Sequence, residues 1–372
     1  MASMLAPEFL THWRTTIVRD REIVEAVVRP EHLGPSPALQ AALANWPGMY
    51  YWASGADADR LVLVRPTAPP RRERWALHAA LFLLTFLTVQ LGGAILLGGS
   101  VHTLPSLSGG WERLLGNVEA WGRASLAGIP FAMALMAILL AHEMGHYLTA
   151  KRYAVDASPP FFLPAPIEWT FIGTFGAFIR LRSPVVDRRQ LLEIGAAGPW
   201  VGFGVALIVL IVGMQQAWPA DVVGGAPMVI QWREGYLWIG DSLITWVVRH
   251  AFAGEGTVVL NPLAAAGWIG MLVTALNLLP IGQLDGGHII YALFGRYQRY
   301  AAVVAWVGLL VLGRWFWPWW LMAGLTLVLG GGRITHPKVL EWRRPLPASR
   351  LPLGWASIAL FLLTFAWVPI KI

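Results

Sequence analysis

Two histidines and a glutamate stand in the stretch His142-Glu143-Met144-Gly145-His146. On a helix, residues i and i+4 share a face. Both imidazoles can then hold one Zn²⁺, and the glutamate beside the first can act as a base on a metal-activated water; this is the HExxH spacing. Nearly uninterrupted apolar sequence, Phe131 to Leu140, runs into it. Ionisable groups at membrane depth are expensive and rarely stand there without a task. The plainer alternative is a polar helix end satisfied by headgroups and water.

A catalytic zinc takes three protein ligands and keeps one position open. The chain has no cysteine, so the third ligand must be His or a carboxylate. Asp285, within Asn277-Leu-Leu-Pro-Ile-Gly-Gln-Leu-Asp285-Gly-Gly-His288, meets that need. It follows a span that runs in the same direction as the His142 helix, and Gly286 and Gly287 flank it. The same aspartate could instead N-cap a helix beginning near Gly287. Asn277 is a polar amide in an apolar helix. It could be a fixed donor for a scissile peptide or its oxyanion, or make an interhelical hydrogen bond. His288 reads as a group behind the ligands or at the headgroups. His12, His32, His78, His102, His250 and His336 show no ligand spacing.

Helices in a bilayer must position these groups. Of 372 residues, 56% are hydrophobic and 13% charged, against about 25% charged in soluble domains. The chain is therefore a multi-pass membrane protein in contact with the lipid bilayer. Its net charge of +7 falls in short clusters beside apolar runs, which sets topology and argues against a nucleic-acid partner. Many of the 21 tryptophans lie at run ends, as in Arg314–Trp320, where indoles anchor at the interface. No cleavable signal peptide is expected, since the first run long enough to span starts near Trp75.

Four regions follow. Residues 1–74 form an N-terminal cytoplasmic arm or small domain, with a short amphipathic helix over Val18–Val28 and strands at Met49–Trp52 and Leu61–Val64. Residues 75–122 hold a first span (75–98) and an outside loop with a short helix near 111–120. Residues 123–290 hold the catalytic core. Its spans lie at 123–150, 191–213 and 258–279, and 214–257 is an outside amphipathic segment. Lys151 and Arg152 put the histidines near the cytoplasmic side. Pro159, Pro160, Pro164 and Pro166 forbid a helix before Gly173-Thr-Phe-Gly-Ala-Phe178, so 154–190 reads as a β-hairpin or re-entrant loop. Small residues in Gly195-Ala-Ala-Gly-Pro199 and Gly202 let a neighbouring helix approach. Residues 291–372 hold further helices, with 301–330 either a tight hairpin or tilted pieces, and a cytoplasmic loop.

HEMGH together with NLLPIGQLDGGH resembles the site-2 protease family, the zinc intramembrane metalloproteases. GTFGAFIRLRSP and AAGP are similar to that family's substrate-binding loop and third core helix. GTFGAFIRLRSP, Gly240-Asp-Ser-Leu243 and His336-Pro337 resemble the subgroup of the plant chloroplast proteases named for ethylene-dependent gravitropism and yellow-green leaves. The resemblance implies an all-α polytopic fold with a small hairpin and one Zn²⁺ per chain on His142, His146 and Asp285. It implies Glu143 as base and then proton donor, and Asn277 steadying the peptide. Gly173, Thr174, Phe175, Gly176, Ala177 and Phe178 would bind transmembrane substrates by strand addition. No PDZ-like domain is expected, because 214–257 is too short. The activity implied is zinc-dependent intramembrane endopeptidase, in the cell membrane, with the site near the cytoplasmic side. The competing reading is a metal-ion-binding membrane transporter, which would string its polar residues across several helices. Substrate identity, oligomeric state and the task of residues 1–74 cannot be read from the sequence.

Overall fold

The computed structural model describes all residues except 1–5, 19–20, 54–58, 67–72, 98–124, 154, 167–169, 171, 183–184, 221–224, 233–234, 340–343 and 372. The predicted outside loop and its helix near 111–120 lie outside the described residues.

The N-terminal region holds a sheet, a helix and a buried cluster between them. Strands β1 (Leu10–Val18), β2 (Arg21–Val28), β3 (Met49–Trp52) and β4 (Arg60–Pro66) form an antiparallel sheet in the order β1-β2-β4-β3. Helix α1 (Pro37–Ala44) buries Leu39 and Leu43 with Val24, Ala26, Leu61 and Leu63. The helix expected at Val18–Val28 is thus a strand. β2 pairs on both sides, and Ile23 packs on the opposite face with Val62 and Val64. A strand buried on two faces loses strict alternation and reads ambiguously.

Among the described residues, three helices are long and apolar enough to cross a membrane: α2 (Trp75–Leu97), α3 (Ile129–Arg152) and α4 (Arg188–Gln215). At 1.5 Å per residue each exceeds a hydrocarbon core of about 30 Å. The predicted span 258–279 is shorter. Val258–Val259 is strand β10, and helix α6 covers only Pro262–Asn277. Asn261 sets the start: its side chain accepts from Ala264 N–H and donates to the Gly213 carbonyl, and Pro262 opens the helix. α6 packs inside the bundle against α3 and α4.

Between α3 and α4, β5 (Phe161–Pro164) and β6 (Thr174–Phe178) pair antiparallel, as the prolines and the alternation predicted. Beyond α4, strands β7 (Trp218–Pro219), β8 (Met228–Trp232), β9 (Gly235–Ile239) and β10 join β11 (Ile370–Lys371) in the order β11-β9-β8-β10-β7. Helix α5 (Leu243–Phe252), capped by Ser242, buries Val248 in one cluster with Met228, Ile230 and Ile239 of this sheet. The expectation of an all-α chain is corrected by these three sheets. The amphipathic, tryptophan-rich stretch between spans was too short to announce strands whose partner, pairing Ile239 with Ile370, lies at the other end of the chain.

After α6 the chain turns into α7 (Asp285–Phe294). Helices α8 (Gln298–Leu312) and α9 (Pro318–Leu329) then form a tight hairpin. The Trp306 indole donates to the Ala323 carbonyl, and the Trp320 indole to that of Leu310. Helix α10 (Leu351–Thr364) packs on α6 and α7 and returns the chain to β9.

Candidate metal centre

The bundle brings three ligand atoms from two helices to one point. His142 Nε2 lies 3.2 Å and His146 Nε2 3.3 Å from Asp285 Oδ2, and the two Nε2 atoms are 3.2 Å apart. Among the described residues this is the group of three whose atoms could hold a metal ion.

Each ligand is aimed by its neighbours. His146 Nδ1 lies 2.7 Å from the Ile194 carbonyl. A carbonyl only accepts, so Nδ1 carries the hydrogen and Nε2 presents a lone pair. The Asn277 amide, 3.3 Å from His142 Nε2, faces a lone pair there as well. Two lone pairs and a carboxylate oxygen this close repel unless a cation or proton lies among them. Ligands about 2.0–2.1 Å from a tetrahedral zinc stand about 3.3 Å apart, so the donor set and its spacing fit zinc.

Small residues make the convergence possible. A Cβ on Gly198 would stand 2.1 Å from His146 Nε2, and one on Gly202 3.0 Å from the His142 Cβ. The close approach predicted from Gly195–Gly202 is therefore made at the histidines. Asp285 is the first residue of α7, preceded by Leu284 at the cap, and its carboxylate turns to the histidines rather than capping the helix. A Cβ on Gly286 would meet the Leu278 carbonyl oxygen at 1.9 Å. Only glycine lets α7 fold back this tightly on the end of α6.

A cleft of about 340 Å³ opens here, lined by His142, Glu143, His146, Asn277 and Asp285. Glu143 is buried, and the Ile179 backbone N–H, just past β6, faces its carboxylate. Of the six predicted substrate-binding residues, Ala177 and Phe178 line the cleft. The other four do not. Gly173, with φ of 78°, packs on the Thr88 carbonyl of α2, and the Thr174 hydroxyl donates to the Leu163 carbonyl. Phe175 is 56% exposed, and Gly176 takes a φ of 97° that suits glycine. Alternation within 174–178 could not tell which end reached the cleft. The sequence reading also missed Ile179 and the Ile194 carbonyl, both of which act through backbone atoms. Gln283 and His288 line the cleft too. For His288 a signal existed: it stands one turn beyond Asp285 on the same face.

Residues 130–313 match the family described as Peptidase family M50. The chain is 35% identical over 189 residues to probable zinc metalloprotease EGY2, chloroplastic, of Arabidopsis thaliana, covering 51% of this chain and 33% of that protein. It is 33% identical over 174 residues to the Arabidopsis thaliana protein named probable zinc metalloprotease EGY1, chloroplastic, covering 46% and 30%. A protein of the same name from Oryza sativa subsp. japonica is 31% identical over 269 residues, covering 67% and 43%. The chain thus spans under half the length of these curated relatives. No solved structure matches. Motifs, converging ligands and relatives agree: through residues 130–313 this chain belongs to peptidase family M50, the site-2 proteases, in the group that contains the EGY metalloproteases.

Proposed function

We propose that the chain is a zinc-dependent intramembrane endopeptidase that cuts transmembrane segments of other membrane proteins. The observation that carries this is the triangle of His142, His146 and Asp285 with Glu143 buried beside it. The three residues are the ligands of one zinc per chain. Zinc, when bound, would lower the pKa of a water and polarise the peptide carbonyl. Glu143 takes the proton of the attacking water and returns it to the amine nitrogen that leaves. Asn277 donates to the substrate carbonyl.

Helical peptide bonds are shielded by their own hydrogen bonds, so a substrate must unwind before it is cut. β6 pairs with β5 and with no other strand among the described residues. A substrate segment added along its second edge would regain the backbone bonds it lost, with little dependence on side chains. The Ala177–Phe178 end of that edge leads into the cleft.

Three candidate spans support a multi-pass membrane protein. Lys151 and Arg152 end α3 on the side that also carries the N-terminal domain, tied there through Arg21 and Asp156. This side is proposed to face the cytoplasm or its organellar equivalent. The relatives are named chloroplastic, so the cell membrane as location draws no support from them. A transporter reading draws less support, because among the described residues the one group of three metal-ligating side chains stands beside a buried glutamate suited to hydrolysis.

The test is Glu143→Gln in the purified full chain. It should keep about one zinc per chain and lose cleavage of a single-span peptide that the wild type cuts. Undiminished cleavage would remove Glu143, and with it this reading.

A further inference from the structure

A substrate strand laid on β6 has its second edge to satisfy. Within a strand, the N–H and C=O of one residue point to the same side. The residue whose carbonyl meets a donor such as Asn277 therefore presents its own N–H to the same wall. An N–H left unmet inside the cleft weakens binding. That wall needs an acceptor beside the donor, and His142, His146, Asp285 and Glu143 are already engaged.

His288 lines the same cleft as Asn277, with its bonding capacity set from behind. Its Nδ1 lies 2.7 Å from His336 Nε2, and His336 Nδ1 lies 2.5 Å from the Pro337 carbonyl. The Pro337 carbonyl can only accept, so His336 Nδ1 carries the hydrogen. Both rings are partly buried, and among the described residues no carboxylate lies within ion-pair distance of either, which favours the neutral forms. In a neutral His336, Nε2 is then an acceptor, and His288 Nδ1 must donate to it. The hydrogen of neutral His288 is thereby spent on Nδ1, and Nε2 keeps a lone pair. His288 itself lines the cleft.

His336 is held for this task by several contacts. Its ring stacks on Tyr291 of α7 at 4.5 Å, and its backbone N–H donates to the Gln298 side-chain carbonyl, 3.0 Å away. Gln298 in turn donates to the Pro280 carbonyl, and Gly282 N–H donates to the Ile334 carbonyl. The segment around 334–337 is thus pinned to the turn that carries Asp285.

We propose that His288 is a substrate-binding residue of this site, accepting a backbone N–H of the unwound segment through Nε2, and that His336 is the positioning residue that fixes its tautomer. This rests on the endopeptidase reading in placing a strand in the cleft. It adds an acceptor opposite β6 and predicts which His288 and His336 replacements are tolerated.

Binding and cutting are measured separately. A fluorescent single-span peptide is titrated onto the full chain in detergent micelles, in the Glu143→Gln background, and cleavage is followed with Glu143 intact. Asn places its amide near the Nδ1 position of histidine, and Gln near Nε2. His288→Asn keeps the partner of His336 but not the acceptor in the cleft. It should raise the peptide Kd about tenfold and raise KM more than it lowers kcat, with zinc content unchanged. His336→Phe should weaken binding by a similar factor. His336→Gln, which restores an acceptor near Nε2, should recover most of that loss. In the His288→Asn background His336→Phe should add little. Unchanged Kd in folded, zinc-loaded His288→Asn would overturn the inference. So would additive effects of the two positions. Wild type that binds the peptide but cuts nothing would sink the endopeptidase reading instead, leaving the His288 contact measured on its own.

Discussion

Helices α3 and α7 each bring ligand atoms to one point, by opposite means. α3 is a 24-residue helix buried among its neighbours, and its two histidines meet because 3.6 residues make a turn. α7 has ten residues, and Asp285 is its first. The helical repeat of α7 does not aim that carboxylate. Its direction comes from the glycine turn against Leu278 and from the 334–337 segment strapped across it. One half of the centre is local geometry and the other half is borrowed from contacts distant in sequence. The first should yield only to changes that press on the histidines themselves, and the second should yield to changes that never touch a ligand.

The largest effect should come where α4 presses on the robust half. Gly198→Ala puts a methyl 2.1 Å from His146 Nε2. The imidazole cannot keep its place, so zinc affinity should fall by ~100-fold or more, read by competition with a chromogenic chelator. Gly202→Ala, facing His142 at 3.0 Å, should do far less. Equal affinities in the two would mean that α4 does not seat the histidines.

Gly286→Ala tests the borrowed half. Its methyl would run into the Leu278 carbonyl, shifting Asp285 while leaving the histidine pair intact. Zinc affinity should fall about 10–100-fold, and histidine coordination should persist in X-ray absorption spectra. Loss of both histidine signals would show that the two halves are not separable.

The smallest effect should come from the tether of the N-terminal domain, far from both halves. Glu73 accepts from Arg182, and this bond holds its carboxyl below the ordinary carboxylate range. A lowered pKa stabilises docking above the ordinary value and loses that contribution as pH falls through the lowered one. Glu73→Gln should cost about 1 kcal/mol or less, shrink this acid sensitivity, and leave zinc content unchanged. The measurement is protease nicking near residues 67–74 between pH 6 and pH 3. Altered zinc content would place the tether within the site.

Legibility followed the range of each interaction. The HEMGH pair, the hairpin after the prolines and the close approach of Gly195–Gly202 were readable because each rests on spacing or chain stiffness within one segment. The strand at Arg21–Val28 was misread as a helix, since burial on both faces erased its alternation. The span at 258–279 was drawn too long, because Asn261 reads as an ordinary polar residue until Gly213 is seen to receive its amide. Of the hairpin residues, only the Ala177–Phe178 end reaches the cleft, a matter of how the hairpin leans on α2 and α3 rather than of its own pattern.

Residue types and periodicity suffice for a bilayer protein with a two-histidine helix and an aspartate turn suited to the same ion, since hydrophobic length and helical repeat act along the chain. They do not suffice to say that His146 turns its lone pair inward, that Ile179 reaches Glu143, or that His336 stands behind His288. Those depend on backbone carbonyls, amides and rings meeting across 36 to 48 positions of sequence. Hydrogen bonds act over about 3 Å, so only the folded packing of α3, α4, α7 and the 334–337 segment brings such groups within reach.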